Sequence, residues 1–362
     1  MSKKLIFDST STSIVNLMCS CNLLEDLLND KKIYKQIKRD PTNIYQKNNN
    51  DIVGKWENNQ YIPTETAKRL MIRNAIPPKM YGLPKLHKVP LRPLVSCVQS
   101  PFEKLSKYLK DILSNIAYKN EYYLKDSQHF KQKLKNLKIP NGYKLISLDV
   151  ASLYTSIPID LASQIIRKKW DQIKKYTDIP QDEFIKGVET TLKSTYFTYD
   201  NKIYQQIDGC AMGASISSVV AQIVMEDLEE SVLEKLDIRI PFFFRYVDNC
   251  LTAIPTDYMD RILDKFNEYN SNIKFTIEVE VESKINFLDV TIHNKNGILR
   301  TKWFTKETWS SRYLNFNSNH PMSQKKSVVI GLADRAISLS DPEYRKNATN
   351  KAKSFREKQL PK

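Results

Sequence analysis

Two short apolar runs that each end in a carboxylate constrain this chain more than any other feature. The first is Lys144-Leu145-Ile146-Ser147-Leu148-Asp149-Val150; the second, Phe242-Phe243-Phe244-Arg245-Tyr246-Val247-Asp248-Asn249-Cys250, places its acid 99 residues beyond Asp149. Each run is too short for a free-standing helix and reads as a buried strand that delivers an acid to the edge of a sheet. Laid side by side, two such strands bring Asp149 and Asp248 close enough to share divalent cations, as two-metal chemistry at a phosphate requires. Either residue alone reads equally well as an Asp that ends a strand at a turn. The pair, not the single residue, carries the expectation.

A chain of 362 residues is long enough for a sizeable core and two or three subdomains. Its 56 Lys and Arg against 41 Asp and Glu give a formal charge of +15, on a composition 41% hydrophobic and 10% aromatic that argues for a folded protein. Such an excess favours a polyanionic partner, with ribosome-associated and membrane-surface proteins as the other classes that share it. The five cysteines (Cys19, Cys21, Cys97, Cys210, Cys250) form no C-x-x-C pair. An intracellular, reduced chain without a structural zinc is expected. His87, His129, His293 and His320 are scattered, so no His/Cys cluster has metal-ligand spacing. The apolar stretch at Leu5-Ile6-Phe7 breaks before it reaches signal-peptide length. No segment approaches the ~18 apolar residues of a membrane span, so no membrane partner is expected.

Residues 1–62 read as a polar appendage, helical around Leu23 to Ile37 and closed by the loop-like cluster Gln46 to Asp51. From Ile76 repeated prolines forbid a helix and predict extended segments joined by turns, followed by a helix from Ser100-Pro101 to about Ile116. A second helix is expected from Ile159 through Trp170, its start set by Pro158. Alternating aromatic runs around Asp200-Asn201 predict a hairpin. Ser217 to Leu236 has apolar residues at helical spacing with acids on the opposite face. Further strands are expected at Lys274 to Val281 and at Ile285 to His293, and a helical, polar, basic remainder from Trp303.

Outside the two carboxylates, Lys85 and Arg92 sit in proline-rich extended segments. They read either as cations presented to a triphosphate, where the Arg fork suits phosphate oxygens, or as solvated surface charges. Tyr154, five residues past Asp149, either floors a sugar pocket or packs in the core. Gly209 and Gly213 stand out because the whole chain has eight glycines. A pair four apart before a helix suggests close backbone approach to a ligand or template, with a helix-entry turn as the alternative.

Six blocks carry a family resemblance: Tyr81-Gly82-Leu83-Pro84-Lys85-Leu86-His87-Lys88, Leu91-Arg92-Pro93-Leu94-Val95-Ser96, the stretch Leu148 to Pro158, Gly209-Cys210-Ala211-Met212-Gly213, Arg245-Tyr246-Val247-Asp248 and Phe287-Leu288-Asp289-Val290. Over roughly residues 23–340 their order resembles that of the reverse transcriptases of Penelope-like retroelements. The resemblance implies an α/β (α+β) right-hand polymerase fold with fingers, palm and thumb, the palm an antiparallel sheet backed by helices. It implies an appendage at 1–62, fingers at 63–145, a palm at 146–295 with an inserted fingers segment at about 160–205, and a thumb with basic tail at 296–362. The implied activity copies an RNA template into DNA from a DNA primer and dNTPs with two Mg2+ ions, Mn2+ being the alternative metal. Asp149, Asp248 and Asn249 would then form the catalytic set, with Asp149, Asp248 and the Val150 carbonyl holding metal. Lys85, Arg92, Val150, Tyr154, Met212 and Gly213 would contact substrate, Tyr154 as the steric gate against a 2′-hydroxyl. Phe287 to Val290 would be the primer grip, and the location intracellular and nuclear.

The chain departs from that pattern in places. Asn249 stands where the family usually has a second Asp, and Ala214-Ser215-Ile216-Ser217-Ser218 lacks the family's two prolines, which leaves that loop less pre-organised. Neither the block that precedes the fingers nor the GIY-YIG endonuclease that follows the thumb in many members is legible, which leaves an element fragment or host-retained copy open beside a complete protein. A catalytically impaired nucleic-acid-binding protein on the polymerase fold is the alternative function, and RNA-templated end extension a third.

Overall fold

The computed structural model of the protein describes residues 24–83, 92–306, 314 and 317–359, with Leu83, Arg92 and 351–359 described by backbone alone. Its strands, in chain order, are β1 (Tyr34–Ile37), β2 (Lys79–Leu83), β3 (Arg92–Ser96), β4 (Tyr143–Val150), β5 (Tyr196–Tyr199), β6 (Lys202–Gln206), β7 (Phe243–Tyr246), β8 (Asn249–Pro255), β9 (Phe275–Val279), β10 (Lys284–Phe287), β11 (Val290–Lys295) and β12 (Ile298–Trp303). The chain forms two compact units, and each is assembled from two separate segments. One takes the segment ending at Lys119 together with Ser152–Ser231; the other takes Asn120–Ala151 together with the segment from Val232 onward.

The first unit is built on a five-stranded sheet in the order β1-β6-β5-β2-β3. As the sequence predicts, β5 and β6 form a hairpin about Asp200-Asn201, both at positive φ (45° and 58°), the conformation that lets a two-residue turn match strand twist. The prolines are read correctly too, since β2 and β3 are extended and pair antiparallel. The helix expected over Leu23 to Ile37 is not found: the chain is helical over 24–28, turns, and enters β1. Asp30 accepts the Lys32 N–H at 3.0 Å in an Asx turn, and Tyr34 packs edge-on to Phe197, so long-range strand pairing overrides local helical spacing.

The expected loop at Gln46 to Asp51 is instead the middle of α1 (Thr42–Asn58). Its asparagines do not break the helix because their amides bind the next segment. Asn49 donates to the Leu70 carbonyl at 3.2 Å; Asn50 donates to the Ile72 carbonyl at 2.8 Å and accepts the Ile72 N–H at 2.9 Å. The helices expected after Ser100 and Pro158 are α2 (Glu103–Leu113) and α3 (Ile159–Lys168). They are joined in this unit by α4 (Gln181–Lys193) and α5 (Ser215–Leu233). In α5 Glu230 faces solvent as expected, but Glu226, Asp227 and Glu229 do not. Val219 to Glu229 are all buried, with Glu226 accepting from the Tyr118 N–H (2.8 Å) and Gln222 (2.7 Å), and Asp227 paired with Lys168 at 2.7 Å. Buried carboxylates persist when their oxygens are satisfied in this way.

The second unit contains the antiparallel sheet β7-β8-β4-β9 and the meander β10-β11-β12. Leu145, Phe244, Leu251, Phe287, Ile292 and Trp303 belong to one apolar core, and α6 (Met259–Asn267) seats Phe266 between the rings of Phe243 and Phe275, with centroids 5.9 and 5.1 Å away. The single strand expected at Ile285 to His293 is in fact two, β10 and β11, folded back at Leu288-Asp289. Leu288 takes φ +53° there, a turn that an apolar sequence does not advertise.

The helical, basic end expected from Trp303 starts later, since Trp303 closes β12; it is found as α7 (Met322–Ser338) and α8 (Pro342–Gln359). Their connection is tied to β12: the Thr301 N–H donates to Asp341 at 2.7 Å and the Trp303 N–H to Ser340 Oγ at 3.1 Å. At the start of α8, Tyr344 stacks on His293 with centroids 4.8 Å apart. Burial, and then the charges of Lys284, Lys302 and Lys295, push the His293 imidazole below its ordinary value, against a smaller opposing pull from Glu343. A depressed native pKa means that the unfolded chain protonates first on acidification. The stabilisation is complete above about pH 6.5 and is lost as pH falls from there through the native pKa. Thermal melts of the parent are expected to drop between pH 7.5 and 5.5, and His293→Gln to drop less; parallel curves for the two would dismiss the imidazole as the cause.

Candidate active site

The two apolar runs, β4 and β7, share a sheet of the second unit but are not side by side as the sequence reading expects: β8 lies between them, and it is the β7–β8 turn that brings Asp248 beside the end of β4. Asp149 stands opposite Asn249 in the antiparallel register of β4 and β8, with Leu148 opposite Cys250. Residues Leu145 to Val150 are buried except for Asp149, which is exposed at the end of its strand. Asp248 occupies the second position of the two-residue turn between β7 and β8, and its carbonyl accepts the Val150 N–H at 3.1 Å. A backbone bond from the residue after one acid to the other acid therefore fixes the spacing of the pair. Asn249 turns its amide back, donating from Nδ2 to an Asp248 carboxylate oxygen at 3.2 Å.

The turn itself is strained. Val247 sits at φ +57°, where a β-branched side chain is crowded and glycine is the usual occupant. Sequence reasoning missed what lies beneath it. Arg245, read as one residue of a motif, is fully buried, and its guanidinium donates to the Val247 carbonyl at 3.2 Å. The only available signal was a cation inside an otherwise apolar strand.

The other sequence-predicted residues belong to the first unit or lie outside the described residues. Lys85 is in the latter group, and Arg92 opens β3, its backbone opposite Leu83. Tyr154 is half-buried in a helical turn, Leu153–Ser156, and its carbonyl accepts the Cys210 N–H at 2.7 Å. The Met212 carbonyl accepts the Val95 N–H of β3 at 2.8 Å. The two glycines do permit close backbone approach, but to the chain's own backbone. A Cβ on Gly209 would lie 2.7 Å from the Thr155 carbonyl oxygen, and one on Gly213 would lie 2.2 Å from that of Val95. The loop between them is thus held on both sides before α5 begins. Burial pushes the Cys210 thiol up to about 12 and, with Glu103, the Cys97 thiol to about 11, so neither supplies a thiolate near neutral pH.

As donors, Asp149 and Asp248 offer hard carboxylate oxygens with an amide oxygen and a strand-end carbonyl beside them, a set suited to Mg2+ or Mn2+ and poorly suited to softer metals. Among the described residues no three His, Cys, Asp or Glu side chains converge as a metal cage. Mg2+ is characteristically held by one or two carboxylates, with substrate phosphates completing the shell, so the two acids fit that ion.

Residues 83–318, about two thirds of the chain, match the family model described as reverse transcriptase (RNA-dependent DNA polymerase). Residues 312–355 match one described as an animal helix-turn-helix domain, the region of α7 and α8. A comparison with curated proteins found no match. Among solved structures, telomerase from Candida albicans in complex with a TWJ fragment of telomeric RNA is similar at TM-score 0.55 and 12% identity, over 90% of this chain and 61% of that one. Apo telomerase from Candida tropicalis is similar at TM-score 0.53 and 11% identity, over 95% and 61%. The BmCPV RNA-dependent RNA polymerase at elongation state is similar at TM-score 0.54 and 12% identity, over 95% and 32%. The chain thus spans about three fifths of the telomerase chains and a third of the viral polymerase. At such identities the likeness carries the fold, a right-hand polymerase.

Proposed function

The chain belongs to the reverse transcriptase (RNA-dependent DNA polymerase) family, and from that premise we propose that it is the polymerase domain of a Penelope-like retroelement, copying RNA into DNA by two-metal nucleotidyl transfer. The observation that carries this reading is the register that sets Asp149 opposite Asn249, the residue after Asp248, with the Asp248 carbonyl held by the Val150 N–H. Asp149, Asp248 and the Val150 carbonyl would hold the ions, Mg2+ or Mn2+, with Asn249 beside them. Ions held there would supply charge that lowers the pKa of a primer 3′-hydroxyl and neutralises a leaving pyrophosphate. The chain's own residues then bind and orient. By the family resemblance, Lys85 and Arg92 would take the triphosphate of the dNTP, Tyr154 would exclude a 2′-hydroxyl, and Met212 and Gly213 would contact substrate. We assign the sheet β7-β8-β4-β9 to the palm and α7 with α8 to the thumb. The +15 charge holds an RNA template and DNA primer by their phosphates, so binding is salt-dependent and largely sequence-independent. We place the reaction in the nucleus.

Asn249 favours a second reading, a polymerase-fold binding protein with impaired catalysis, because one negative charge is missing from a site for two divalent cations. Primer extension on an RNA template, with Mg2+ and with Mn2+, separates the two. Extension by the parent is the expected result. Asn249→Asp, which exchanges a donor amide for a carboxylate, is expected to lower the metal concentration for half-maximal extension about tenfold. Extension by Asn249→Asp alone would establish the impaired reading. Salt-sensitive binding with no extension by either version, in protein shown to be folded, would reduce the chain to a nucleic-acid-binding remnant.

A further inference from the structure

A fully buried arginine inside an apolar strand calls for an explanation, because the guanidinium stays charged at any physiological pH and loses its water on burial. Arg245 is held by its backbone from one side. Its N–H donates to the Tyr122 carbonyl at 2.7 Å and its carbonyl accepts the Leu124 N–H at 2.8 Å, so the segment around Tyr123 runs beside β7 as a parallel bridge. This fixes where the side chain starts. The guanidinium ends on the Val247 carbonyl at 3.2 Å.

That carbonyl belongs to the central peptide of the turn that carries Asp248. In a two-residue hairpin turn, rotation of the central peptide interconverts two forms that differ in the backbone of the second residue. Val247 is at positive φ in either form. Asp248 is at negative φ in the structure, and the alternative form would place it at positive φ, a region that Asp tolerates better than most residues. The sequence of the turn therefore does not choose between the two. A donor anchored beneath the Val247 carbonyl does, and the Val150 N–H on the Asp248 carbonyl secures the other side of the same residue.

We propose that Arg245 is a positioning residue for the polymerase reaction, which holds the Val247-Asp248 peptide in the one orientation that directs the Asp248 carboxylate toward the ions shared with Asp149. The proposal rests on the polymerase reading of this site, and its test includes readouts that need no turnover. Arg245→Met keeps the length and apolar contacts of the side chain and removes the donors; Arg245→Lys keeps the charge and offers a single, differently placed donor. For the full chain, three quantities are compared: Mn2+ affinity by electron paramagnetic resonance, amide hydrogen exchange of the peptide covering 243–250, and single-turnover extension with template-primer binding measured separately.

The expected result for folded Arg245→Met is at least tenfold weaker Mn2+ binding, faster exchange across the turn, and extension lowered at least tenfold with template-primer Kd within twofold of the parent. Arg245→Lys is expected between the two, since retained charge without the fork restores the field but only part of the orientation. Parental exchange and parental Mn2+ affinity in folded Arg245→Met would overturn the proposal. Should Arg245→Met not fold, Arg245→Lys with a native melt decides: parental values in all three measurements would equally overturn it. If the parent extends no primer, the polymerase reading fails, while the exchange comparison still decides whether Arg245 fixes the turn.

Discussion

Asp149→Ala and Asp248→Ala are each expected to lower primer extension by at least ~10²-fold, since loss of groups one shell further out already costs 10- to 100-fold at metal sites. The fold should survive both changes. Asp149 is exposed, and the bonds that hold its strand run through the backbone to β8 and β9, so removing the carboxylate breaks no ladder. The melting temperature should therefore stay within about 3 °C of the parent. Single-turnover extension beside a thermal melt is the check. A variant that retains more than a tenth of parental extension would remove that residue from the metal-binding set.

Gly213→Ala is expected to lower stability by about 2–4 kcal/mol, in the range of strained-backbone and overpacking changes. Two independent obstacles coincide there. The residue sits at φ +120°, outside the reach of ordinary side chains, and its new Cβ would lie 2.2 Å from the Val95 carbonyl oxygen. That oxygen belongs to the middle of β3, whose partner strand holds it in register, so it cannot retreat cheaply. The Val95 N–H bond to the Met212 carbonyl would be strained with it, and the loop before α5 displaced. Gly331→Ala is the contrast: in α7, with nothing within 4 Å of the added methyl, it should gain roughly 0.5–1 kcal/mol from helix propensity. Equal melting curves for the two variants would show that the Gly213 approach is looser than its geometry indicates.

The features legible in the sequence were those written in one stretch of chain. The short apolar runs announced β4 and β7, and Asp200-Asn201 announced a hairpin, because alternation and turn chemistry are local. What escaped was decided by partners far along the chain. Asn49 and Asn50 resemble a loop until the backbone of Leu70 and Ile72 comes within reach of their amides. Glu226 and Asp227 of α5 resemble a wetted face until Lys168, Gln222 and the Tyr118 N–H meet them. Leu288 gave no hint of a turn, since its side chain is apolar and only its backbone is unusual. At the candidate site the carboxylates could be named from their strands, whereas Arg245 could not. A cation in a sequence reads as surface until the structure shows it buried.

The threading of the two units also governs the order in which the protein can be made. The first strand of the five-stranded sheet, β1, pairs among the described residues with β6 alone, so Tyr34 waits for about 170 further residues before that partner leaves the ribosome, roughly 10–30 s at ordinary rates of synthesis. Meanwhile residues 120–151, which include β4, have emerged but belong to the other unit, whose remaining strands begin only after Val232. Neither unit can close while the chain is half-translated. Nascent β1, the free edges of the β2–β3 pair and, once it emerges, β4 are exposed during that interval, and efficient production should depend on chaperones that occupy them until the C-terminal half arrives.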